Sequence, residues 1–343
     1  MGQLLTMYIA RLSNELLSLA VSEFFSIMEA EGAAYKVFKR IDEFLLFTSN
    51  DELIELLASR SALLTELGKV LDIAAEDDNL YSVVMSYIDG SRNGHTCVDV
   101  DSIRGFGRKR ASDLQMLLST MGIRWRGCKS RIRIALVAGL AIIYEVLYRR
   151  REAKFHDREP HRRPCYRPGT MKPTLARTLV NIAKVSSRKR SHLLDPFCGV
   201  GGIALEACNM GLQVTCADID GKMVECARVN GAAYGCKNTM EFIEADSLYS
   251  IFRGRFFDAV VTDPPYGIQS TPRSQSLSSL MEGFIRNSYE VVKRGGHMVF
   301  AIPMHLEDHT DSVIDSLGAS ILEKHLNRVH GSLTRVIYVV KVL

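Results

Sequence analysis

The sequence Asp263-Pro264-Pro265-Tyr266-Gly267 directly follows Phe257–Thr262, an apolar segment typical of a buried strand. Two consecutive prolines fix φ at about −65° and cannot continue a sheet, so they predict a rigid elbow where the strand ends. The Asp263 carboxylate and the Pro264 carbonyl would accept the two N–H bonds of an exocyclic amine, and Asp263 would take the proton that the amine releases. Tyr266 offers a flat face for a base that has left its stack. We therefore predict that Asp263, Pro264, Pro265 and Tyr266 are catalytic residues.

A glycine-rich turn, Asp195-Pro196-Phe197-Cys198-Gly199-Val200-Gly201-Gly202, follows the predicted strand His192–Asp195 and precedes a helix. Glycines in such a turn let the backbone approach a ligand closely. Their spacing differs from that of a dinucleotide-binding turn, and a carboxylate before them would repel a pyrophosphate. Asp195 suits a cationic ammonium, the alternative being a cap of the helix. The turn therefore favours S-adenosylmethionine, which carries an ammonium, a sulfonium and no phosphate.

Further acidic residues follow the next two predicted strands. Asp218 is expected to accept hydrogen bonds from the ribose hydroxyls of a nucleoside, whereas Asp220 suits the cap of the following helix. Asp246 is placed to bind the adenine amino group, the alternative being an ordinary turn residue. The predicted cofactor-binding residues of these motifs are Asp195, Pro196, Cys198, Gly199, Gly201, Asp218, Ile219, Asp246 and Ser247.

Strands alternate with helices from Ser191 onwards, which predicts a parallel, doubly wound sheet. The last two strands, Ile321–Val329 and Arg335–Val342, are separated by a short turn and should pair as an antiparallel hairpin. A parallel sheet with one reversed terminal strand is the Rossmann-like α/β architecture of class I methyltransferases. Because the methyl donor is already activated, the reaction needs no metal ion and no protein nucleophile.

The first half of the chain alternates between predicted strands and helices in shorter units. The order of elements over residues 1–77 fits a ferredoxin-like domain, and a second small α/β domain is expected over 78–155. Prolines and dense charge then indicate a linker over 156–183. The methyltransferase domain is expected over 184–343.

Positive charge is concentrated in two segments of this sequence. Ile103–Arg133 contains nine Lys and Arg residues against one acidic residue, and Arg149–Arg167 contains eight against three, although the whole chain has a net charge of only +4. Segregated positive charge suits a polyanion, because binding releases the counterions condensed on its phosphates. The alternative is a solvated basic face. Beside the proposed elbow, the pattern favours a nucleic-acid substrate.

Three stretches resemble the THUMP-domain tRNA guanosine-N2 methyltransferases, above all the archaeal enzymes that modify tRNA position 10. They are Pro160–Ala183, with its motifs Arg162-Arg163-Pro164 and Arg167-Pro168-Gly169-Thr170-Met171, and the segments Asp195–Gly199 and Asp263–Gly267. The resemblance implies that residues 78–155 form a THUMP domain that grips tRNA, and that guanosine N2 receives one or two methyl groups. It also implies that Thr170 contacts the methionyl carboxylate and that Asp263 holds the guanine amine.

Other interpretations remain open at the level of the residues. Adenine-N6 methyltransferases of DNA or RNA share this type of elbow. Protein glutamine-N5 methyltransferases usually have Asn in place of Asp263, and the basic N-terminal half argues against them. A fourth possibility is an RNA-binding module with an idle methyltransferase fold.

The remaining expectations concern compartment and assembly. The sequence contains no apolar run long enough for a membrane span and no signal-peptide pattern, so a cytoplasmic monomer without a membrane partner is expected. Its eight cysteines form no CxxC pair and no zinc spacing, which predicts reduced thiols and no metal site. A disulfide between Cys97 and Cys128 is left open.

Overall fold

The computed structural model describes residues 6–77, 79–88, 96–123, 126–151, 153–249, 252–265, 276–330 and 333–343. The chain divides into two compact units. The first consists of Met1–Leu17, Ala33–Ser59 and Leu64–Arg151, and the second consists of Ser18–Gly32, Arg60–Leu63 and Glu152–Leu343. Within the described ranges, no helix has the length and apolar character needed to cross a membrane. The same ranges contain no cluster of three or more His, Cys, Asp or Glu side chains that could hold a metal ion.

The first unit is built on one seven-stranded sheet. Its strands are β1 (Thr6–Leu12), β2 (Lys36–Ile41), β3 (Phe44–Ser49), β4 (Leu64–Ala75), β5 (Thr96–Ser102), β6 (Ser130–Val137) and β7 (Leu140–Arg149). They lie in the order β2-β3-β1-β4-β7-β6-β5, and only β5 and β6 pair in parallel. Pairing of β4 with β7, from Glu66 opposite Arg149 to Ala75 opposite Leu140, joins strands from both sides of residue 77. The two predicted N-terminal domains therefore share a sheet.

The helices of the first half of the chain are α1 (Leu17–Ala30), α2 (Asp51–Arg60), α3 (Leu80–Ile88) and α4 (Arg108–Thr120). Helices α3 and α4 bury apolar side chains such as Val84 and Leu114 in a common core with Ile134 of β6. These elements confirm the helices predicted from apolar spacing to within a few residues. Helix α1 belongs, apart from its first residue, to the second unit.

The second unit contains the predicted methyltransferase sheet. Its strands are β8 (His192–Asp195), β9 (Gln213–Asp218), β10 (Met240–Glu244), β11 (Phe257–Thr262), β12 (Val292–Pro303), β13 (Ser320–His330) and β14 (Leu333–Lys341). Their order is β10-β9-β8-β11-β12-β14-β13. The first five strands are parallel, and β14 pairs antiparallel with both β12 and β13. The predicted parallel sheet with a reversed strand and a terminal hairpin is confirmed.

The later helices are α5 (Ala153–His156), α6 (Pro173–Ile182), α7 (Gly202–Cys208), α8 (Gly221–Ala233), α9 (Leu277–Val291) and α10 (Glu307–Ser316). Helix α6 was expected, since the sequence predicts a helix over Thr170–Lys184, but it lies inside the segment 156–183 and eight of its ten residues are buried. The linker description therefore does not fit this helix. Helix α10 was not predicted, because it buries only Thr310, Val313 and Ile314 and otherwise carries polar side chains.

Six of the eight cysteines are paired, which differs from the expectation of reduced thiols. The disulfides are Cys97–Cys128, Cys165–Cys226 and Cys208–Cys236, with Cα atoms 5.4 to 6.0 Å apart. That separation is the usual one for a disulfide. Cys97–Cys128 is the pair that had been left open, whereas the other two pairs were not anticipated, because cysteines 61 and 28 positions apart give no sign of pairing in their spacing. Cys198 and Cys216 are free and buried.

Candidate active site

The predicted motifs meet at the carboxyl edge of the second unit's sheet. Asp195 ends β8, Asp218 ends β9, Asp246 follows β10, and Asp263 directly follows β11. Adjacent parallel strands end at the same edge, which is where open α/β sheets bind ligands. The sheet order therefore brings together four carboxylates from distant parts of the sequence.

Two neighbouring cavities open at this edge. The larger cavity, of about 470 Å³, is lined by Pro196, Phe197, Gly199, Asp218, Ile219, Asp220, Met223, Asp246, Ser247, Leu248, Asp263, Pro265 and Leu280. The smaller cavity, of about 220 Å³, is lined by Arg167, Pro168, Gly169, Thr170, Met171, Asp195, Phe197, Cys198, Gly199, Val200, Gly202, Ile203, Met223 and Asp263. Four of these residues line both cavities, so the two form one elongated site.

The glycine-rich turn forms the boundary between the two cavities. Gly199 and Gly201 have φ angles of 51° and 82°, in the left-handed region that favours glycine. The Cys198 N–H donates to the Ala217 carbonyl at 2.9 Å and ties the turn to β9. A Cβ on Gly201 would lie 3.2 Å from the Ala227 Cβ of α8, and Gly201 lines neither cavity. Gly201 thus shapes the turn, while Cys198 and Gly199 face the site.

Asp195 is the most deeply buried of the four carboxylates, with 1% of its surface exposed. Its Oδ1 accepts a 2.7 Å hydrogen bond from the Thr262 hydroxyl, which links β8 to β11, and the Phe197 main-chain N–H donates to the same carboxylate. Burial raises the pKa of Asp195 to about 7, although the Thr262 hydrogen bond acts in the opposite direction. A cationic group in the smaller cavity would stabilise its charged form.

Asp218 holds the turn and lines the larger cavity. Its Oδ2 accepts a hydrogen bond from the Gly199 N–H at 2.8 Å, and its Oδ1 accepts one from the Asp220 N–H at 3.0 Å. Burial raises the pKa of Asp218, against the effect of these hydrogen bonds. Asp220 accepts a hydrogen bond from the Lys222 N–H at 2.9 Å, which confirms the predicted cap of α8.

Asp246 also lines the larger cavity, two residues after the end of β10. Its Oδ1 accepts a hydrogen bond from the Leu248 N–H at 2.9 Å, and Ser247 lines the cavity beside it. The side chains of Ile219, which is 56% exposed, and Met223 give the same cavity an apolar surface. An apolar slot bordered by carboxylates fits a purine nucleoside, whose ring needs apolar contact and whose hydroxyl and amino groups need acceptors.

The elbow residue Asp263 lines both cavities and contacts a cation that the sequence analysis missed. Nη1 of Arg335, on β14, donates to the two carboxylate oxygens of Asp263 at 2.9 and 3.1 Å. Nε of Arg335 donates to the Asn327 side chain of β13 at 2.8 Å. The side chains of Arg335 and Asp263 are 8% and 19% exposed, so the ion pair is largely shielded from water. The only sign of this residue in the sequence was its position as a single arginine at the start of the predicted apolar strand Arg335–Val342.

The other elbow residues are placed differently. Pro265 lines the larger cavity, whereas Pro264 is buried and lines neither cavity. Tyr266 lies outside the described residues, so its role stays a prediction. Thr170 lines the smaller cavity, and its hydroxyl donates to the Arg167 carbonyl at 2.7 Å. Sequence reasoning had not included Arg167, Met223, Leu280 or Thr262 among the site residues.

Comparisons with known proteins agree with this site. A family model described as the RMKL-like methyltransferase domain matches residues 160–337, which is more than half of the chain. The tRNA (guanine(10)-N2)-dimethyltransferase of Methanothermobacter thermautotrophicus is 33% identical over 96% of this chain and 98% of its own length. The chain belongs to this methyltransferase family. S-Adenosylmethionine is the cofactor, as the glycine-rich turn and the acidic residues after the strands had predicted.

Other members of the family match over shorter stretches. The Pyrococcus abyssi tRNA (guanine(10)-N2)-dimethyltransferase is 35% identical over 56% of both chains.

Among solved structures, TrmN from Thermus thermophilus has a TM-score of 0.61, with 18% identity over 98% of this chain and all of its own. SMU.472, crystallised as a complex with SAH, has a TM-score of 0.52, with 15% identity over 97% of both chains. At these identities the structures establish the shared fold.

Proposed function

We propose that this protein transfers methyl groups from S-adenosylmethionine to the exocyclic N2 of guanosine in tRNA, at position 10, adding first one methyl group and then a second. The observation that carries the proposal is the location of Asp263, which lines both cavities at the end of β11. The near full-length relative from Methanothermobacter, whose name states this activity, supports the choice of substrate.

The larger cavity would hold the nucleoside part of the cofactor. Asp218 retains acceptor capacity for ribose hydroxyls, since each carboxylate oxygen has two lone pairs and each accepts one main-chain N–H. Asp246 and Ser247 would bind the adenine edge, and Ile219 and Pro196 would contact the ring. The smaller cavity would hold the amino-acid part, with Asp195 facing the ammonium and Thr170 the carboxylate, beside the turn residues Cys198 and Gly199. When bound, the cofactor supplies a methyl group that is already activated for transfer.

The protein's part in the transfer is to orient a weakly nucleophilic amine. Asp263 and the Pro264 carbonyl would accept its two N–H bonds and direct the nitrogen lone pair along the line of attack. The Arg335 ion pair orients the Asp263 carboxylate for this contact. Asp263 would then receive the proton that leaves the nitrogen. Pro265 fixes the direction of the elbow, and Tyr266 would stack on the base.

The first unit would supply the grip on tRNA, through the ferredoxin-like domain expected over 1–77 and the THUMP domain expected over 78–155. Its basic side chains support this assignment: Arg108 and Lys109 are exposed at the start of α4. The neighbouring Phe106 ring is 45% exposed between two glycines with positive φ. Exposed aromatic rings among cations suit the bases and phosphates of RNA. We propose that the protein acts as a monomer in the cytoplasm.

Methyl transfer from labelled cofactor tests the proposal directly. The substrates are an unmodified tRNA transcript with guanosine at position 10, the same transcript with adenosine at position 10, duplex DNA and bulk protein. The expected products are labelled N2-methylguanosine and then N2,N2-dimethylguanosine from the first transcript alone. Label in N6-methyladenosine would favour the adenine-N6 alternative, and label in protein would favour glutamine methylation.

A further inference from the structure

Arg163 is a buried cation whose terminal nitrogens lack acceptors. Only 4% of the residue is exposed, and its Nε donates to the Arg158 carbonyl at 2.9 Å. Its Nη1 and Nη2 are buried and have no hydrogen-bond partner among the residues that the structure describes. Leaving charged donors buried and unsatisfied is costly, because folding removes the water that would otherwise bind them. A guanidinium in this state indicates that an acceptor arrives from outside the protein chain.

The unpartnered end of Arg163 lies behind the wall of the smaller cavity. A Cβ built on Gly202 would be 3.2 Å from Nη1 of Arg163, 3.4 Å from Cγ2 of Thr170 and 3.9 Å from the Met171 carbonyl oxygen. Gly202, Thr170 and Met171 all line that cavity. The absence of a side chain at Gly202 therefore lets Nη1 of Arg163 lie close to residues that line the cavity.

Gly202 does not owe its identity to backbone conformation. It begins α7, and its φ lies outside the left-handed region that favours glycine. A Cβ at this position would instead crowd Nη1 of Arg163 and Cγ2 of Thr170. The close packing of Arg163 against this part of the cavity wall gives a physical reason for glycine at this position.

The charges around Arg163 favour an anionic ligand. The carboxylate of Glu206 is fully buried and already accepts hydrogen bonds from Arg158, at 2.7 Å, and from Arg177, at 3.0 Å. Burial lowers the pKa of Arg163, and the nearby charge of Glu206 only partly offsets this effect. The guanidinium groups of Arg158, Arg163 and Arg177 outnumber the two carboxylates that act on Arg163, those of Glu206 and Glu159, so this cluster carries excess positive charge.

We propose that Arg163 binds the α-carboxylate of the amino-acid part of S-adenosylmethionine through Nη1 and Nη2. The inference deepens the proposed function and rests on it. An α-amino acid carries one ammonium and one carboxylate. The smaller cavity offers a matching pair, with Asp195 in its lining for the ammonium and Arg163 behind Gly202 for the carboxylate. Thr170, whose Cγ2 also lies beside Gly202, would then contact the carboxylate together with Arg163.

The test compares two ligands that differ in the amino-acid part. S-Adenosylhomocysteine carries the ammonium and the carboxylate, and 5′-methylthioadenosine carries neither. Their dissociation constants are measured by calorimetry for the unsubstituted protein and for Arg163→Met, which keeps an unbranched apolar side chain without charge. A hydrogen bond to a charged group contributes about 1.5–3 kcal/mol. We therefore expect S-adenosylhomocysteine to bind Arg163→Met about 10 to 100 times more weakly, with 5′-methylthioadenosine unchanged within about twofold.

Three further variants control this result. Arg162→Met removes the adjacent, exposed arginine and should bind both ligands normally. Arg163→Lys restores the charge and should recover part of the affinity. If Arg163→Met does not fold, Gly202→Ala replaces it, because its Cβ would lie 3.2 Å from Nη1 and would displace the guanidinium while its charge is kept. This variant should weaken S-adenosylhomocysteine selectively.

Equal weakening of both ligands by Arg163→Met would show that Arg163 supports the fold, and would overturn the inference. Normal binding of S-adenosylhomocysteine by the same variant would also overturn it. Failure of the unsubstituted protein to bind either ligand would instead contradict the proposed function. The two failures are therefore distinguishable.

Discussion

The cofactor side and the elbow side of the site hold their carboxylates in different ways. Asp218 accepts hydrogen bonds from the main-chain N–H groups of Gly199 and Asp220, and Asp246 accepts one from Leu248 only two residues later. Asp263 is held instead by the side chain of Arg335, 72 residues further along the chain. Asp218 and Asp246 are thus held mainly by main-chain groups, whereas the elbow depends on a side chain of the terminal hairpin.

The largest effect is expected at Asp263, because the comparison assigns this carboxylate to catalysis and not to cofactor binding. Asp263→Ala should lower kcat for tRNA methylation by about 1000-fold. The amine loses both the hydrogen-bond acceptor that orients it and the carboxylate that receives its proton. The affinity for S-adenosylhomocysteine should change by less than about twofold, since the cofactor-side carboxylates keep their own hydrogen bonds. Single-turnover methylation and calorimetry measure the two quantities separately.

Asp315→Ala serves as the matched control for this variant, because Asp315 is exposed on α10, away from the lining of both cavities. It should leave both measurements unchanged. Normal turnover of Asp263→Ala would remove the elbow from the mechanism, and a parallel loss of cofactor affinity would show that the two sides are not independent.

Removal of Arg335 tests whether the elbow needs its distant partner. Arg335→Met should reduce kcat about 10 to 100-fold, because Asp263 loses the cation that orients it and stabilises its charge. Without that cation the carboxylate protonates more readily, so the acidic limb of the pH profile of kcat should move to higher pH. The KM for cofactor should remain close to its original value. A pH series of single-turnover rates distinguishes this effect from simple misfolding.

Arg335→Lys sharpens the result, since a lysine restores the charge but not the planar guanidinium. The acidic limb of its pH profile should lie close to that of the unsubstituted protein, while kcat recovers only in part. A profile of Arg335→Met with an unshifted acidic limb would mean that Arg335 only supports the hairpin.

The same contrast explains which parts of the site could be predicted from the sequence. Asp220 and Asp246 accept main-chain N–H groups two residues later, and such a turn carries its chemistry in a few consecutive letters. The cap by Asp220 was predicted correctly for this reason. Asp218 accepts the Asp220 N–H in the same way, although its other oxygen accepts the N–H of Gly199, 19 residues earlier. Arg335 and Asn327 reach the elbow only because β14 pairs antiparallel with β12 and β13. No local pattern reports that register.

The fold was predictable to a similar degree. The alternation of short apolar segments with amphipathic helices predicted the parallel sheet, because such strands are buried on both faces and each helix buries one face. Helix α10, with few buried side chains, lacked such a signal, whereas α6 was predicted as a helix although it lies inside the segment 156–183. The continuous sheet of the first unit depends on the pairing of β4 with β7, which lie in two separately predicted domains.

Asp195 permits a pH test of the cofactor side. Burial raises the pKa of this carboxyl to about 7, so it is mostly protonated in the free protein at mildly acidic pH. A ligand ammonium favours the charged form, and binding must then release a proton. S-Adenosylhomocysteine should therefore bind about tenfold more weakly at about pH 6 than at about pH 7.5. The same raised pKa means that the ionisation of Asp195 lowers the free energy of unfolding as pH rises from about 4 to about 7.

Calorimetry in buffers of different ionisation enthalpy measures both the affinity and the released proton. Asp195→Asn cannot titrate, so its affinity should vary little over the same pH range. If the pH dependence survives in that variant, the titrating group is Asp218, whose pKa is also raised by burial.

The smallest effect is expected at Asp246, because one oxygen of its carboxylate already accepts a hydrogen bond from the Leu248 N–H. Asp246→Asn should weaken S-adenosylhomocysteine about three- to fivefold, because loss of one hydrogen bond to the adenine amino group is worth about 1 kcal/mol. S-Inosylhomocysteine lacks that amino group and should bind the variant and the unsubstituted protein equally. Asp220→Asn is the matched control, since Asp220 lines the same cavity but caps α8. Two results would contradict a contact between Asp246 and the adenine amino group. Asp220→Asn could reduce affinity as much as Asp246→Asn, or Asp246→Asn could weaken S-adenosylhomocysteine and S-inosylhomocysteine equally. Either result would mean that affinity depends on the overall charge of the cavity.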